Sequence, residues 1–290
     1  MPVDVNIWIL AVTGFAAGFL GSMLGVGGGF MIVPVLTLAL GIPIQYAIGS
    51  SLVSIVVNAC TATGVYIRKH MTNLKLGLLL ATTLIPGAVA GAFIAAILSS
   101  NILIIIFSIL LFYVAYSMVP KKQRVLTEEE LAAQSTVQEK DHTSHAWLDD
   151  SYYDPAVNEE ISYRVHRPVT GLVTGFFGGA ISSMLGIGGG IINVPVMNRL
   201  MKVPVKATIA TSSLLLCFTT MTGSLIYAFN GYVLPYVIAP LCISVFIGAR
   251  LGAAIAHRAR GPVLMISFAI LLALTAILMI LRAFNIIGGH

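Results

Sequence analysis

The chain has 290 residues, of which 58% are hydrophobic and only 9% are charged; the mean hydropathy is +0.96. Because a soluble domain carries about 25% charged residues, this composition excludes an ordinary soluble protein and predicts an integral membrane protein. We attribute the net charge of +5 to lysine and arginine residues in the loops, which set the orientation of a protein in the membrane. No basic face with interleaved aromatic residues occurs, so we expect no nucleic-acid partner.

Each half of the chain contains five apolar segments. A helix needs about 20 residues to cross a bilayer, and the second segment of each half, with about eleven, is too short. We predict that the first segment of each half enters the membrane, breaks at glycines and returns as a half-helix ending near Pro43 or Pro204. The segments are expected at 7–24, 30–40, 46–67, 75–98 and 101–119, then at 168–185, 191–201, 207–228, 233–256 and 262–282.

The two glycine breaks belong to an internal duplication. Gly25-Val26-Gly27-Gly28-Gly29 returns as Gly186-Ile187-Gly188-Gly189-Gly190, and the shift of 161 residues (from 25 to 186) also relates Pro34 to Pro195. An ungapped repeat of this kind indicates duplication. Paired helix breaks in the two halves of a membrane protein indicate where a substrate binds.

Basic loops indicate how the halves are oriented, because such loops face the cytoplasm. In the first half the basic loop follows the third segment, whereas in the second half basic loops follow the second and fourth segments. Equivalent loops are therefore expected on opposite sides of the membrane. The residues are Arg68, Lys69 and Lys75 in the first half, and Arg199, Lys202, Lys206, Arg258 and Arg260 in the second.

The predicted fold class is an all-α polytopic membrane protein with two inverted-topology repeats, residues 1–119 and 168–290. Each repeat has a glycine-broken helix and half-helix pair plus three further transmembrane helices. We expect a multi-pass protein of the cell (inner or plasma) membrane with both termini outside. The first segment is expected to be retained, because the chain start has neither the basic stretch nor the cleavage site of a signal peptide.

Residues 120–167 form the predicted cytoplasmic linker between the repeats, and they hold ten of the eleven acidic residues. The stretch 127–130 resembles a capping box that opens a short helix. His142, His145 and Trp147 suggest either a metal or partner site or a solvated linker. The solvated linker is favoured because no third ligand has suitable spacing. A protein partner of the linker stays unknown.

The predicted membrane interior favours an anionic substrate. Every Asp and Glu is either Asp4 or lies in 120–167, so no membrane segment offers the carboxylate that proton pumps and many ion-coupled carriers use. A cation would lack a counter-charge. Half-helix N-termini, in contrast, present backbone N–H groups and the positive end of a dipole, and glycines let an anion approach them closely.

The candidate substrate-binding residues follow from this chemistry. Each candidate also has an alternative role that does not involve substrate. The glycine runs could serve only tight helix packing, and the hydroxyl and amide residues could bond to helix carbonyls. The arginine could extend its side chain to the membrane surface. The candidates are Gly25, Gly27, Gly28, Gly29, Pro34, Ser50, Ser51, Asn58, Gly186, Gly188, Gly189, Gly190, Asn193, Pro195, Thr211, Ser212 and Arg250.

The sequence gives no support for an enzyme, a metal site or a cofactor. Cys60, Cys217 and Cys242 lie in apolar segments without metal-ligand spacing, and they are expected to pack as small apolar residues. No histidine lies where it would activate a membrane serine, and neither a nucleotide loop nor a dinucleotide fingerprint occurs.

The doubled pattern resembles the sulfite exporter TauE/SafE family. It comprises Gly14-Phe15 and Gly18 followed by the first glycine run and Pro34, repeated from Gly175 to Pro195, and the stretch 248–253 is similar to the family's second half. The resemblance covers nearly the whole chain outside 120–167. It implies a membrane carrier of sulfite, sulfoacetate or other sulfur-containing or organic anions.

Our leading hypothesis is a secondary transporter of small anions, with sulfite or an organosulfonate as substrate, that works by alternating access around the glycine breaks. A passive anion channel would use the same groups. A membrane scaffold acting through the linker is the third alternative.

Overall fold

The computed structural model describes residues 6–118, 146–154, 159–256, 275–279 and 281. Its first half contains five helices, and the second of them continues from Pro34 into a π-helical turn, Val35–Ala39. The helices are α1 (Ile7–Leu24), α2 (Gly29–Pro34), α3 (Ile44–Arg68), α4 (Leu74–Ile97) and α5 (Ser100–Met118).

The second half repeats this order after a short antiparallel hairpin, and its half-helix also ends in a π-helical turn, Val196–Leu200. Its elements are β1 (Asp150–Asp154), β2 (Glu159–Tyr163), α6 (Pro168–Leu185), α7 (Gly190–Pro195), α8 (Val205–Phe229) and α9 (Pro235–Ile255).

The helices agree with the nine predicted segments they cover to within two residues at each boundary. The tenth segment, 262–282, lies outside the described residues except for 275–279 and 281, as do 127–130, His142 and His145. Among the described residues six helices are long and apolar enough to cross a membrane: α1, α3, α4, α6, α8 and α9. The protein is therefore a helical, multi-pass membrane protein.

Glycine faces hold the helices of one half against those of the other. A Cβ on Gly18 of α1 would meet the carbonyl oxygen of Val245 in α9, and one on Gly248 of α9 would meet that of Phe15. The same arrangement pairs α6 with α4, where a Cβ on Gly87 would meet the carbonyl oxygen of Phe176. Small residues thus let the backbones approach closely, and each half packs its first helix on the fourth helix of the other half.

The two longest helices, α3 and α8, cross in the centre and run antiparallel. Gly49, near the start of α3, faces Tyr227 at the end of α8 and Tyr232 in the loop that follows it. Gly223, near the end of α8, faces Leu52. Each helix therefore begins beside the end of its counterpart.

The hairpin was not predicted, and it packs on the loops between α3 and α4 and between α7 and α8. The Asn73 amide nitrogen donates to the Leu148 carbonyl at 2.9 Å, and the His166 backbone amide donates to Met201 at 3.2 Å. Burial raises the pKa of Tyr163 to about 12, although its hydrogen bond with Asn73 acts in the opposite direction. The hairpin thus covers one end of the helical assembly.

Basic loops lie at this same end. Lys69 donates its ammonium to the carbonyl of Ala254, near the end of α9, at 3.2 Å. The Asn73 backbone amide donates to the Thr211 hydroxyl in α8 at 3.1 Å. The loop after α3, the start of α8, the end of α9 and the hairpin therefore share one face.

We expect Gly248→Ala to destabilise the protein by about 1–3 kcal/mol, because the new methyl group would clash with rigid backbone in α1. Gly64→Ala is the matched control: this α3 glycine has nothing within 4 Å of its missing Cβ, so alanine should be neutral or stabilise by up to about 1 kcal/mol. Thermal unfolding in detergent measures both. Equal effects of the two changes would contradict the glycine-face packing.

Candidate functional site

The two glycine breaks meet each other at the centre of the fold. A Cβ on Gly29 would meet the carbonyl oxygen of Gly186, and one on Gly190 would meet that of Gly25. Six glycines of the two runs, the first, third and fourth residue of each, have positive φ angles, as for Gly28 at 89°, which only glycine adopts readily.

The breaks lie midway along the two central helices. A Cβ on either Gly27 or Gly188 would meet Ile55 of α3 and Leu216 of α8. Each of these residues is the twelfth of 25 in its helix. The predicted convergence of the glycine runs therefore agrees with the geometry.

Two serines bind the breaks together across the halves. The Ser51 hydroxyl donates to the carbonyl of Gly186 at 3.0 Å, and the Ser212 hydroxyl donates to the carbonyl of Gly25 at 2.8 Å. Both serines are fully buried. These hydroxyls, expected as substrate ligands, instead satisfy backbone carbonyls that have left the helix.

Ser50 and Thr211 also contact protein and not the breaks. The Ser50 hydroxyl accepts a hydrogen bond from the backbone amide of Leu234 at 3.3 Å, just as Thr211 accepts one from Asn73. In each pair, a central helix (α3 or α8) is joined to the residue that immediately precedes the fourth helix of the other half. Their position supports a structural role.

Asn58 contacts the first break. Its amide nitrogen donates to the carbonyl of Gly27 at 2.7 Å, whereas its side-chain oxygen is buried and has no hydrogen-bond partner among the described residues. The residue thus fixes the backbone of the break and keeps one free acceptor.

Asn193 lies beside the second break together with Ser182, which the sequence analysis did not select. The Ser182 hydroxyl is 3.1 Å, and the Asn193 amide nitrogen 3.5 Å, from the position of a Cβ on Gly189. The two side chains are only 2% and 5% exposed. Neither polar atom has a hydrogen-bond partner within the described part of the chain.

The repeat shift contains a signal for both residues. Ser182 stands where the first repeat has Gly21, and Asn193 stands where it has Ile32. Ile32 is buried and apolar, and Gly28, the counterpart of Gly189, faces the carbonyl oxygen of Ala17. The replacement of Ile32 had selected Asn193, and the same comparison would have identified Ser182.

The remaining candidates are two prolines and an arginine. Pro34 and Pro195 end the short helices α2 and α7, where each precedes a π-helical turn. The Arg250 side chain is exposed on α9, about one turn before the helix end that shares a face with the basic loops. A role of Arg250 in substrate binding stays a prediction.

Comparison with known proteins identifies the family. The profile of the family described as sulfite exporter TauE/SafE matches residues 10–279. This protein belongs to the sulfite exporter TauE/SafE family. The resemblance noted in the sequence is thereby confirmed, and the chain is a member of a family of membrane transporters.

Individual relatives of this TauE/SafE chain are named as transporters. It is 30% identical to probable membrane transporter protein YunE of Bacillus subtilis (strain 168), over 92% of this chain and 94% of the relative. It is 25% identical to probable membrane transporter protein MJ0441 of Methanocaldococcus jannaschii, over 94% and 95%. No solved structure matches the chain.

We expect Ser51→Ala and Ser212→Ala each to destabilise this TauE/SafE protein by about 1 kcal/mol, because each leaves a buried glycine carbonyl without its partner. Ser213→Ala is the control, since that hydroxyl donates to Ile209 of its own helix at 2.9 Å. Its loss should cost less than about 0.5 kcal/mol. Unfolding midpoints in detergent give the comparison, and three equal values would argue against a special role of the cross-repeat bonds.

Proposed function

We propose that the protein is a secondary transporter of small anions that alternates access around the paired glycine breaks. The observation that carries this proposal is the meeting of the two breaks midway along α3 and α8 in a TauE/SafE chain. Backbone that leaves a helix inside a bilayer must be buried in protein or line a cavity. Broken helices that converge at the midplane are the usual substrate site of secondary transporters.

The charge distribution supports an anion. Across the whole sequence no carboxylate occurs within the transmembrane helices, because every Asp and Glu is Asp4 or lies in 120–167. A cation at the breaks would have no counter-charge, whereas backbone amides and neutral side-chain donors suit an anion. We take sulfite or an organosulfonate as the substrate, in keeping with the family description.

Inverted topology is the second part of the proposal. It is supported by the antiparallel crossing of α3 and α8 and by the paired contacts of Asn73 with Thr211 and of Leu234 with Ser50, which are equivalent under the repeat shift. The basic loops share the hairpin face, and we assign this face to the cytoplasm of the cell membrane. Two inverted halves can rock against each other around a central site.

The membrane potential supplies a driving force for this cycle. Moving one negative charge out of a negative-inside cell is favourable by about 2.3 kcal/mol per 100 mV. Export of a small anion therefore needs no coupling proton, in agreement with membrane helices that carry no carboxylate.

Flux of labelled sulfite into proteoliposomes tests the function. We expect flux that saturates with sulfite concentration and is accelerated by unlabelled sulfite on the other side, since a carrier must reorient with its substrate. Empty liposomes are the control. A linear, uncoupled flux would identify a channel, and no flux of sulfite, sulfonates or other small anions would refute anion transport.

Cysteine labelling tests the topology. Lys69→Cys and Asn230→Cys occupy equivalent positions in the two repeats, and they would be placed in a variant whose three native cysteines are replaced by serine. We expect an impermeant maleimide to label only Asn230→Cys in intact cells, and Lys69→Cys only after permeabilisation. Labelling of both from the same side would rule out inverted repeats.

A further inference from the structure

The Ser182 hydroxyl and the Asn193 amide nitrogen are buried, lie beside the same glycine, Gly189, and have no hydrogen-bond partner among the described residues. The nitrogen of the Asn193 amide can only donate hydrogen bonds, so the partner it lacks is an acceptor. Buried polar groups in folded proteins nearly always have partners. An acceptor from outside the described chain therefore completes this pair.

We propose that Ser182 and Asn193 form the subsite that recognises an oxyanion, each donating one hydrogen bond to it beside Gly189. This inference rests on the proposed anion transport and adds the residues that select the substrate. It assigns recognition to neutral donors of the second repeat, and not to an arginine or lysine.

The separation of the two donors fits one small oxyanion. Both atoms lie close to one point, at 3.1 and 3.5 Å, so they are at most 6.6 Å apart. They do not bond to each other, because neither has a hydrogen-bond partner among the residues that the structure describes. A hydrogen bond between heavy atoms is about 2.9 Å long, so one oxygen, or two neighbouring oxygens of one anion, can accept from both.

Gly189 places no side chain between the two donors. A Cβ there would lie against the hydroxyl of Ser182 and the amide of Asn193 and would cover the face that the two donors share. The φ angle of Gly189 is also positive, at 64°, which disfavours any other residue. Gly189 thus permits the backbone conformation of the break and leaves the two donors uncovered.

The site is one-sided although the framework is duplicated. The first repeat has Gly21 and Ile32 at the matched positions, and its glycine Gly28 packs on the backbone of Ala17. Neutral donors also suit transport, because a substrate must bind well enough to enter and weakly enough to leave. An ion pair in a buried site would hold the anion more tightly.

The test installs the residues of the first repeat, Ser182→Gly and Asn193→Ile, singly and together. We expect each change to raise the KM for sulfite flux about tenfold or more, as expected for the loss of a hydrogen bond to a charged group, with a maximal rate within about threefold. Ser108→Ala is the control: it is buried, its hydroxyl donates to Ile104 of its own helix at 2.7 Å, and its KM should not change. KM values within twofold of wild type in all three variants would overturn the subsite and indicate a pair that holds only structural water.

A binding measurement separates this inference from the proposed function. Sulfite should raise the unfolding temperature of the detergent-solubilised wild type in a saturable manner, since a ligand stabilises the state that binds it. The shift should vanish in Asn193→Ile and persist in Ser108→Ala. If the wild type carries no anion, transport is refuted, but a shift that depends on Asn193 still supports the subsite. Equal shifts in wild type and Asn193→Ile, or no shift for sulfite, sulfate or a sulfonate in either, would reject it.

Discussion

The carbonyl groups of Gly25 and Gly186 lie where the backbone leaves its helix in the middle of a membrane protein. Lipid offers such groups no partner, and a buried carbonyl left without one destabilises the fold. Ser212 and Ser51 satisfy them, each from the other half of the chain. The crossing of α3 and α8, the contact of the two breaks and the interleaving of the halves all follow from this exchange, because neither serine can reach its carbonyl unless the halves are intertwined.

The helices and their breaks were predictable from the sequence, because apolar length and glycine position are local properties. The partners of the polar side chains were not. Ser51 is buried and hydroxyl-bearing whether it binds an anion or Gly186, and only the approach of α3 to the second break decides between these. The hairpin was missed for a related reason: Tyr152 and Tyr163 sit among charged residues in sequence, and their burial depends on the loops of the membrane helices.

Contacts that are equivalent in the two repeats have a different role from residues that differ between the repeats. The symmetric contacts, such as those of Ser50 and Thr211 with the residues that precede α9 and α4, belong to the framework that both repeats need. In contrast, the Ser182 hydroxyl and the Asn193 amide nitrogen are buried but have no partner in the described part of the chain, and the first repeat has Gly21 and Ile32 in their places. In a duplicated chain, comparing matched positions of the two repeats thus separates residues that the shared framework needs from residues that have another role.

The exchange of helices between the halves also bears on how the chain is made. The glycine face of α1 packs on α9, which is complete only at Ile255. At about 5–20 residues per second, the ribosome needs roughly 10–50 s to synthesise α9 after α1 has emerged. During this interval the first half lies in the membrane, while the glycine face of α1 and the carbonyl of Gly25 still lack their partners from the second half. The insertion machinery or transient neighbours within the first half must cover the helix surface and pair the carbonyl until the second half arrives.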